Sequence, residues 1–286
     1  MPQVSRIATT VAELFARNLT QEAVSGVIQT NREETTGESV AANQHAKNAL
    51  TRILPQKAKR GLSPQRGREA ASEDISPNDP RVRLLRNQCL KLSLSLFNRA
   101  QRATRSLGFT SAISGEGKTF LATLAASALA ERAHRSVTLV DCNWDAPTLH
   151  ERFDIPNTPG LAEWLRDECE LADIRHVITP YLTVIPGGDA SQDALALAER
   201  FRAVGAQALL ATPEELLIAD LPAVLTSDYG ALLPQLLDSV LLVVRAGVTQ
   251  DTYIAEASRE LVDSPVEGAI LNATRSSIPR WLQRLL

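Results

Sequence analysis

One stretch near the middle of the chain, residues 107–130, restricts the possible folds more than any other. Residues 107–113 are mostly apolar (LGFTSAI), residues 115–119 read GEGKT, and an alanine- and leucine-rich run follows from Phe120 to Ala130. A buried strand, a glycine turn, a Lys-Thr pair and a helix are the layout of a phosphate-binding P-loop. Glycine lets the backbone wrap closely around an anion, and the positive end of the helix dipole adds attraction. The stretch therefore predicts a strand–loop–helix unit that binds nucleotide phosphates.

The side chains of this stretch predict separate roles at the phosphates. Lys118 would place a positive charge on the terminal phosphates, and the hydroxyl of Thr119 would bind Mg²⁺. The match to the consensus G-x-x-x-x-G-K-[ST] is relaxed, because Ala112 occupies the first glycine position. The alternative is an ordinary strand-to-helix turn that carries a surface lysine. The predicted nucleotide-binding residues of the loop are Ser114, Gly115, Glu116, Gly117, Lys118, Thr119 and Phe120.

Apolar runs alternate with helix-like segments from residue 106 onwards, and this alternation predicts the fold class. Near-continuous apolar strands separated by helices indicate a parallel sheet that is covered on both faces. We therefore expect an α/β fold with a doubly wound, mostly parallel sheet of P-loop NTPase type, after a mostly disordered N-terminal tail. The predicted strands are 107–113, 137–141, 182–186, 215–220, 239–245 and 268–272. The predicted helices are 118–133, 159–167, 192–203, 229–237, 249–261 and 278–286.

Two of the predicted strands end in an aspartate. Asp141 closes the run VTLVD, and Asp220 closes the run LLIAD. Because ligands of parallel sheets bind at the carboxyl ends of the strands, both carboxylates should lie at the same edge as the P-loop. Hard oxygen ligands suit Mg²⁺, which usually keeps several waters. Either aspartate alone could be a helix cap or a turn residue, but two of them beside a P-loop favour a site for Mg²⁺ and a nucleotide.

Length and composition limit the remaining possibilities. The chain has 286 residues, of which 44% are apolar, so it can bury the core of one large domain. Its three cysteines are widely spaced, which argues against a disulfide framework or a zinc site and favours a reducing compartment. No secretory signal and no apolar run of about 18 residues is evident, so we expect a cytoplasmic protein. We expect residues 1–80 to be a flexible tail and linker with a possible short helix, and residues 81–286 to be the nucleotide-binding domain.

Residues 81–105 are predicted to form one basic amphipathic helix. This segment carries 7 Lys and Arg residues and no acidic residue, whereas residues 106–286 carry 13 basic and 24 acidic residues. Its apolar residues recur every three or four positions, as one face of a helix requires. The helix could lie on a membrane or on an acidic partner, but we favour the interpretation that it covers an edge of the sheet. No nucleic-acid motif is evident, and we expect no nucleic-acid partner.

Several blocks between residue 81 and about residue 275 resemble the cytoplasmic kinase domains of bacterial tyrosine kinases of the capsule and exopolysaccharide type, which are relatives of the ParA/MinD ATPases. TSAISGEGKT is similar to the Walker A motif of that family, which has a small residue at its first position. LLIADLPAVLTSD is similar to its Walker B motif. The other blocks that resemble the family, in the same order along the chain, are VTLVDCNWDAPTLHERFDIPNTPGLAEWL, LTVIPGG, SVLLVVRAGVT and GAILN.

The resemblance implies that the chain transfers the γ-phosphoryl group of ATP to tyrosine. Lys118 and Thr119 would bind the phosphates and Mg²⁺, and Asp220 would orient the metal through water. Asp141 would help to hold the metal and would act as a base toward the tyrosine hydroxyl. Asn272, at the end of GAILN, would lie near the adenine. The implied cofactors are therefore ATP and Mg²⁺.

The resemblance also implies partners. The family acts with a membrane polysaccharide copolymerase (a chain-length regulator), which would place this chain in the cytoplasm or at the inner face of the plasma membrane. The family's ring-forming E-x-x-R-x-x-R motif is retained here only as Arg83 and Arg86, because Pro80 stands at the position of the glutamate. A homo-oligomer is a further expectation.

The chain departs from the family's motifs at positions that bear on catalysis. The family's D-x-D-x-R segment reads DCNWD at 141–145, so that Asn143 replaces an acid and Asp145 replaces a cation. The family's terminal tyrosine cluster is absent, since no tyrosine follows Tyr253. A regulatory nucleotide-binding partner without kinase activity is therefore an alternative to an active kinase or ATPase. A positioning ATPase of the ParA/MinD type is a further alternative, against which Ile113 counts, because those proteins carry a lysine at this position.

Overall fold

One seven-stranded sheet organises the part of the chain that the computed structural model describes, residues 80–98 and 104–273. The strands are β1 (Ser106–Ser111), β2 (Val137–Asp141), β3 (His176–Thr179), β4 (Leu182–Ile185), β5 (Leu216–Ala223), β6 (Ser239–Arg245) and β7 (Val266–Asn272). The helices are α1 (Pro80–Phe97), α2 (Lys118–Arg132), α3 (Leu149–Phe153), α4 (Leu161–Leu165), α5 (Ala194–Val204), α6 (Ala206–Leu209) and α7 (Asp251–Glu260), with 3₁₀ helices at Leu171–Ile174 and Leu233–Leu236. The strand order is β3-β4-β2-β5-β1-β6-β7. Every neighbouring pair is parallel except β3 with β4.

The predicted fold class is confirmed, and all six predicted strands are present with ends that differ by at most a few residues. The largest difference is at β5, which continues past Asp220 to Ala223. There the hydroxyl of Thr110 on β1 donates a hydrogen bond to the carbonyl of Pro222 at 2.7 Å. The sequence does not predict β3, because its four residues are half-buried or exposed and so lack the apolar pattern of the other strands. The predicted tail and the predicted helix 278–286 lie outside the described residues, apart from Pro80.

The predicted helix at 229–237 is wrong. This segment consists of turns and the 3₁₀ helix Leu233–Leu236, which has a proline in its first turn. Tyr229, Leu233 and Leu237 are buried in one cluster with residues of β5 and β6, so their helix-like spacing reflects packing against the sheet. The predicted helix at 159–167 is also shorter than expected and spans only α4.

The core lies on both faces of the sheet because successive strand residues point to opposite sides. On one face, Leu139 of β2 and Ile218 of β5 join the cluster that includes α2. On the other face, Val140 and Ala219 join the cluster that includes α4 and α5. The middle of α2 is buried almost throughout, which its alanine-rich sequence allows because small side chains let the helix approach the sheet closely. This packing fixes α2, and with it the P-loop, at the centre of the sheet.

The basic helix differs from the prediction in length and in position. It ends at Phe97 instead of continuing to residue 105, and it packs against α2 instead of along an edge of the sheet. Its apolar residues Cys89, Leu96 and Phe97 belong to the same core cluster as α2. Arg86 forms an ion pair with Glu131 of α2 at 2.5 Å, so the charge of this arginine is paired with an acidic residue of the same chain. None of the described helices is long and apolar enough to cross a lipid bilayer.

Candidate nucleotide site

The P-loop connects β1 to α2 at the carboxyl end of the sheet, as predicted. Gly115 and Gly117 have φ angles of 85° and 95°, a region that residues with a side chain disfavour. Gly117 is also the N-cap of α2, and no side chain caps this helix. The first N–H groups of a helix have no acceptor within it, and the positive end of the dipole lies there too. The backbone at this turn is therefore suited to a bound anion.

The alanine at the first consensus position is compatible with this loop. Ala112 is fully buried and belongs to a cluster with Val224, Leu242 and Val244. Because its methyl group fills space in the core, glycine is not required at this position. The relaxed match to the P-loop consensus therefore has a structural explanation.

Lys118 and Asp220 form a buried pair beside the loop. The ammonium of Lys118 lies 3.7 Å from Oδ1 of Asp220, and the two residues are 6% and 0% exposed. Neither carboxylate oxygen of Asp220 has a hydrogen-bond partner among the described residues. Burial raises the pKa of the Asp220 carboxyl, while the Lys118 ammonium and the Thr119 hydroxyl oppose this rise. A buried carboxylate with unused oxygens next to the P-loop is chemically suited to hold a cation or its bound water.

Asp141 is also fully buried, but its oxygens are occupied. Oδ1 accepts the N–H of Asn143 at 3.1 Å, and Oδ2 accepts the N–H groups of Thr148 and Leu149 at 3.0 Å each. The last two bonds satisfy the N-terminus of α3. Burial, and after it the negative charge of Asp220, raise the pKa of the Asp141 carboxyl to about 7, although the three N–H groups act in the opposite direction. Asp141 thus organises the turn between β2 and α3.

The residues after Asp141 form hydrogen bonds within this turn and to neighbouring segments. The side-chain amide of Asn143 donates to the carbonyl of Ala146 at 2.8 Å. The ring N–H of Trp144 donates to the carbonyl of Gly187 at 2.9 Å. Asp145 is exposed, and its main-chain N–H donates to the hydroxyl of Tyr229 at 3.2 Å. The segment is therefore held by one hydrogen bond within the turn and by two to neighbouring parts of the chain.

Two of the predicted nucleotide residues contact the loop itself. Glu116 is 2% exposed, and its carboxylate accepts hydrogen bonds from the main-chain N–H groups of Ile113 and Arg245. The side-chain amide of Asn272 donates to the carbonyl of Glu116 at 2.8 Å. Asn272 therefore lies against the P-loop at the end of β7, the strand beyond β6.

The remaining predicted site residues differ in exposure. Ser114 is exposed, and its hydroxyl oxygen lies 3.3 Å from that of Thr226. Thr119 is half-buried in the first turn of α2. Phe120 is half-buried and packs against the core cluster of α2. The structure thus brings Lys118, Thr119, Asp141 and Asp220 together, whereas the half-buried side chain of Phe120 packs against the core.

The charge of Arg152 also acts on the site, which the sequence did not predict. This residue lies on α3, the helix that begins at the oxygens of Asp141. Burial lowers the pKa of its guanidinium, and the nearby charges of Asp220 and Asp141 oppose this change. The signal that could have identified it is its place shortly after the aspartate motif, inside the block TLHERF.

The donors at this edge fit a magnesium ion that is bound together with a nucleotide. Within residues 80–98 and 104–273, no group of three or more His, Cys, Asp and Glu side chains could hold a metal. The nearby donors are the oxygens of Thr119, Asp141 and Asp220. Mg²⁺ typically takes one or two protein carboxylates and completes its shell with waters and phosphate oxygens. These residues therefore fit Mg²⁺ with phosphates, but not a metal site made of protein alone.

Comparison with known proteins gives similar proteins that are named tyrosine-protein kinases, although no family model matches the chain. The tyrosine-protein kinase YwqD of Bacillus subtilis (strain 168) is 27% identical over 223 residues, which cover 76% of this chain and 90% of that protein. The tyrosine-protein kinase wzc of Salmonella typhi is 27% identical over 204 residues, which cover 69% of this chain and 27% of that protein.

Solved structures share the fold. The kinase domain of VpsO superposes with a TM-score of 0.59 at 25% identity and covers 69% of this chain and 98% of that one. The kinase domain of the Escherichia coli tyrosine kinase ETK has a TM-score of 0.60 at 23% identity and covers 71% and 81%. A cobyrinic acid a,c-diamide synthase of Mycobacterium smegmatis, solved with an ATP analog and magnesium, has a TM-score of 0.53 at 20% identity and covers 64% and 80%. Because the last two structures are less than 25% identical to this chain, their similarity shows only a shared fold.

Proposed function

We propose that this chain, which is similar to a protein named a tyrosine-protein kinase, binds Mg²⁺ and ATP at the P-loop and transfers the γ-phosphoryl group to a tyrosine hydroxyl. The observation that carries this proposal is the pair formed by Lys118 and Asp220. Apart from the Lys118 ammonium at 3.7 Å, neither oxygen of this buried carboxylate has a hydrogen-bond partner among the described residues, and a bound cation with its waters would offset the cost of burying it.

The phosphate side of the site supplies charge and positioning. Lys118 binds the terminal phosphates as a point charge, and the N–H groups at the start of α2 surround them. Thr119 and Asp220 would hold the magnesium, the latter through water as the family resemblance implies. Magnesium, when bound, neutralises the charge that builds up on the transferred phosphoryl group. Phosphoryl transfer needs little beyond such positioning and charge neutralisation.

Asp141 is the proposed base, with a lesser part in holding the metal. A carboxylate has about four acceptor positions, of which three are used here by main-chain N–H groups. A pKa of about 7 leaves part of the Asp141 population ionised at neutral pH, which suits a general base. Because Asp141 is fully buried, the turn between β2 and α3 must move before a tyrosine can reach it.

A regulatory nucleotide-binding module without phosphoryl transfer is the second candidate. The turn after β2 favours it, because the side chain of Asn143 is used within the turn and Asp145 adds an exposed negative charge. The loss of one acid and the reversal of a nearby charge can lower the rate by several orders of magnitude. Neither change touches the P-loop, so ATP binding would remain.

We further propose that the chain acts from the cytoplasmic side with a membrane polysaccharide copolymerase. The support is the resemblance of the motif blocks to the exopolysaccharide type of kinase. A homo-oligomer formed through Arg83 and Arg86 would compete with the ion pair between Arg86 and Glu131. Co-purification with the copolymerase from the host membrane would support this partner, and its absence from such preparations would count against it.

One experiment separates the two candidates. Purified protein is mixed with ATP and Mg²⁺, and nucleotide binding, ATP hydrolysis and phosphotyrosine on an added tyrosine polymer are measured in parallel with the Lys118→Ala variant. Binding with phosphotyrosine that depends on Lys118 supports the kinase. Binding without turnover supports the regulatory module, and no binding contradicts both.

A further inference from the structure

The carboxylate of Glu116 faces the protein although the residue belongs to the P-loop. One oxygen accepts the N–H of Ile113, at the start of the loop, at 3.1 Å. The other oxygen accepts the N–H of Arg245, at the end of β6, at 3.1 Å and also the hydroxyl of Thr249. With an exposure of 2%, this carboxylate is shielded from water and has three donors around it. It therefore joins the loop to the segment between β6 and α7.

The main chain at the same place is joined to β7. The amide nitrogen of Asn272 donates to the carbonyl of Glu116 at 2.8 Å. The contact is so close that a Cβ atom on Gly117 would lie 2.2 Å from that amide nitrogen. Asn272 in turn stands opposite Arg245 in the register of β6 and β7. The neighbouring strands β6 and β7 thus both hold the loop at Glu116. The end of β6 binds the Glu116 side chain, and the end of β7 binds the Glu116 main-chain carbonyl.

We infer that Glu116 is a positioning residue for nucleotide binding, an inference that rests on the proposed function. It holds the P-loop in its anion-binding shape before a phosphate arrives, so the loop does not have to be ordered by the ligand. Such preorganisation improves affinity because the ordering cost is not taken from the binding free energy. The same residue links the phosphate loop to Asn272, which the family resemblance places on the adenine side.

A carboxylate is required at this position because the groups around it are donors. In Glu116→Gln, one of the two oxygens becomes an NH₂ group that faces the N–H of Ile113 or the N–H of Arg245. If the NH₂ group faces Ile113, that N–H loses the carboxylate oxygen that accepts it. If it faces Arg245, that N–H keeps only its hydrogen bond to the Thr249 hydroxyl at 3.2 Å, so in either case the variant loses one hydrogen bond of the loop. The loop should relax away from the ends of β6 and β7.

The test compares ATP affinity by isothermal titration calorimetry in the wild type and four variants. Glu116→Gln should weaken ATP binding about tenfold, as loss of a buried hydrogen bond implies. Thr249→Val should weaken it about threefold, and Thr249→Ser, which keeps the hydroxyl, should bind as the wild type does. Hydrogen exchange without nucleotide should show faster exchange of the Ile113 and Arg245 amides in Glu116→Gln.

Asp238→Asn is the fourth variant and serves as the matched control. The Asp238 carboxylate has the same kind of donors, the N–H groups of Arg105 and Ser106 at 2.8 and 2.9 Å and the Ser106 hydroxyl at 2.9 Å. It lies at the opposite end of the sheet, so its loss should lower stability but leave ATP affinity within about twofold. This control separates a positioning effect from a general loss of stability.

The outcomes are distinguishable. Unchanged ATP affinity in Glu116→Gln, or equal weakening in Asp238→Asn, overturns the inference and leaves the proposed function standing. Failure of Thr249→Ser to bind as the wild type does also counts against the inference. Absence of ATP binding by the wild type overturns the proposed function and the inference together.

Discussion

Asp141, the last residue of β2, stands directly opposite Asp220 of β5, yet their surroundings differ. Both are fully buried, but Asp141 accepts three main-chain N–H groups whereas Asp220 has no hydrogen-bond partner among the described residues. The neighbours therefore decide what each carboxylate can do. Asp141 holds its own turn together, and Asp220 has oxygens to offer to a ligand.

The same difference separates two sides of the site. On the phosphate side, the P-loop, Lys118 and Asp220 present charges and N–H groups that a nucleotide with magnesium can satisfy. On the acceptor side, the turn from Asp141 to Thr148 is held by hydrogen bonds within itself and to the segments of Gly187 and Tyr229. The phosphate side is ready for a ligand, while the acceptor side must rearrange before chemistry. Nucleotide binding should therefore withstand changes that abolish phosphoryl transfer.

The largest effect is expected from Lys118→Met, which removes the cation of the phosphate side. ATP affinity should fall about 100-fold or more, because a buried ammonium that binds phosphate is lost and Asp220 is left without its opposite charge. Calorimetric titration with ATP and Mg²⁺ checks this. Lys91→Met, at an exposed lysine of α1, should change affinity less than about twofold. Similar losses in both variants would contradict the assignment of the phosphate side.

The pH dependence of stability tests the contrast between the aspartates. The pKa of Asp141 is about 7 in the folded protein and close to 3.8 in an ordinary environment, so the folded state holds the extra proton between these values. The nucleotide-free protein should accordingly lose about 2 kcal/mol of unfolding free energy as the pH rises from 5 to 8. Denaturant titrations of the wild type and Asp141→Asn measure this loss. The variant should lose clearly less than the wild type, and parallel pH profiles would show that Asp141 does not carry the effect.

A smaller effect is expected from Tyr229→Phe, which tests how firmly the acceptor side is held. The N–H of Asp145 loses its acceptor, while the ring can still pack beside Trp144, whose centroid lies 5.5 Å away. The free energy of unfolding should fall by about 1 kcal/mol. The more exposed Tyr253, changed to Phe, provides the control and should show almost no change. If the control loses as much unfolding free energy as Tyr229→Phe does, the hydrogen bond between Asp145 and Tyr229 does not stabilise the acceptor side.

The fold was largely predictable because its central strands are buried on both faces and therefore read as continuous apolar runs. Their parallel order also predicts that Lys118, Asp141 and Asp220 lie at one edge of the sheet. The segment 229–237 was mispredicted because buried residues of an irregular turn can recur at helical spacing. The strand β3 was not predicted from the sequence, because an edge strand with one antiparallel neighbour need not be apolar.

The environments of the site residues were not predictable in the same way. The sequence gives Asp141 and Asp220 the same position at the end of an apolar strand, and only the packed structure shows which one receives N–H groups. The inward direction of the Glu116 carboxylate depends on Arg245 and Thr249, which lie 129 and 133 residues away along the chain. Contacts over such separations leave no local pattern in the sequence.

The most direct test of the contrast is the stability that Mg²⁺ and ATP add to Asp220→Asn and to Asp141→Asn. A ligand at 100 times its dissociation constant adds about 2.7 kcal/mol to the free energy of unfolding. Denaturant unfolding with and without Mg²⁺ and ATP measures this gain for the wild type and both variants. We predict that Asp220→Asn loses most of the gain and that Asp141→Asn keeps most of it. A gain that survives in Asp220→Asn and disappears in Asp141→Asn would contradict the account.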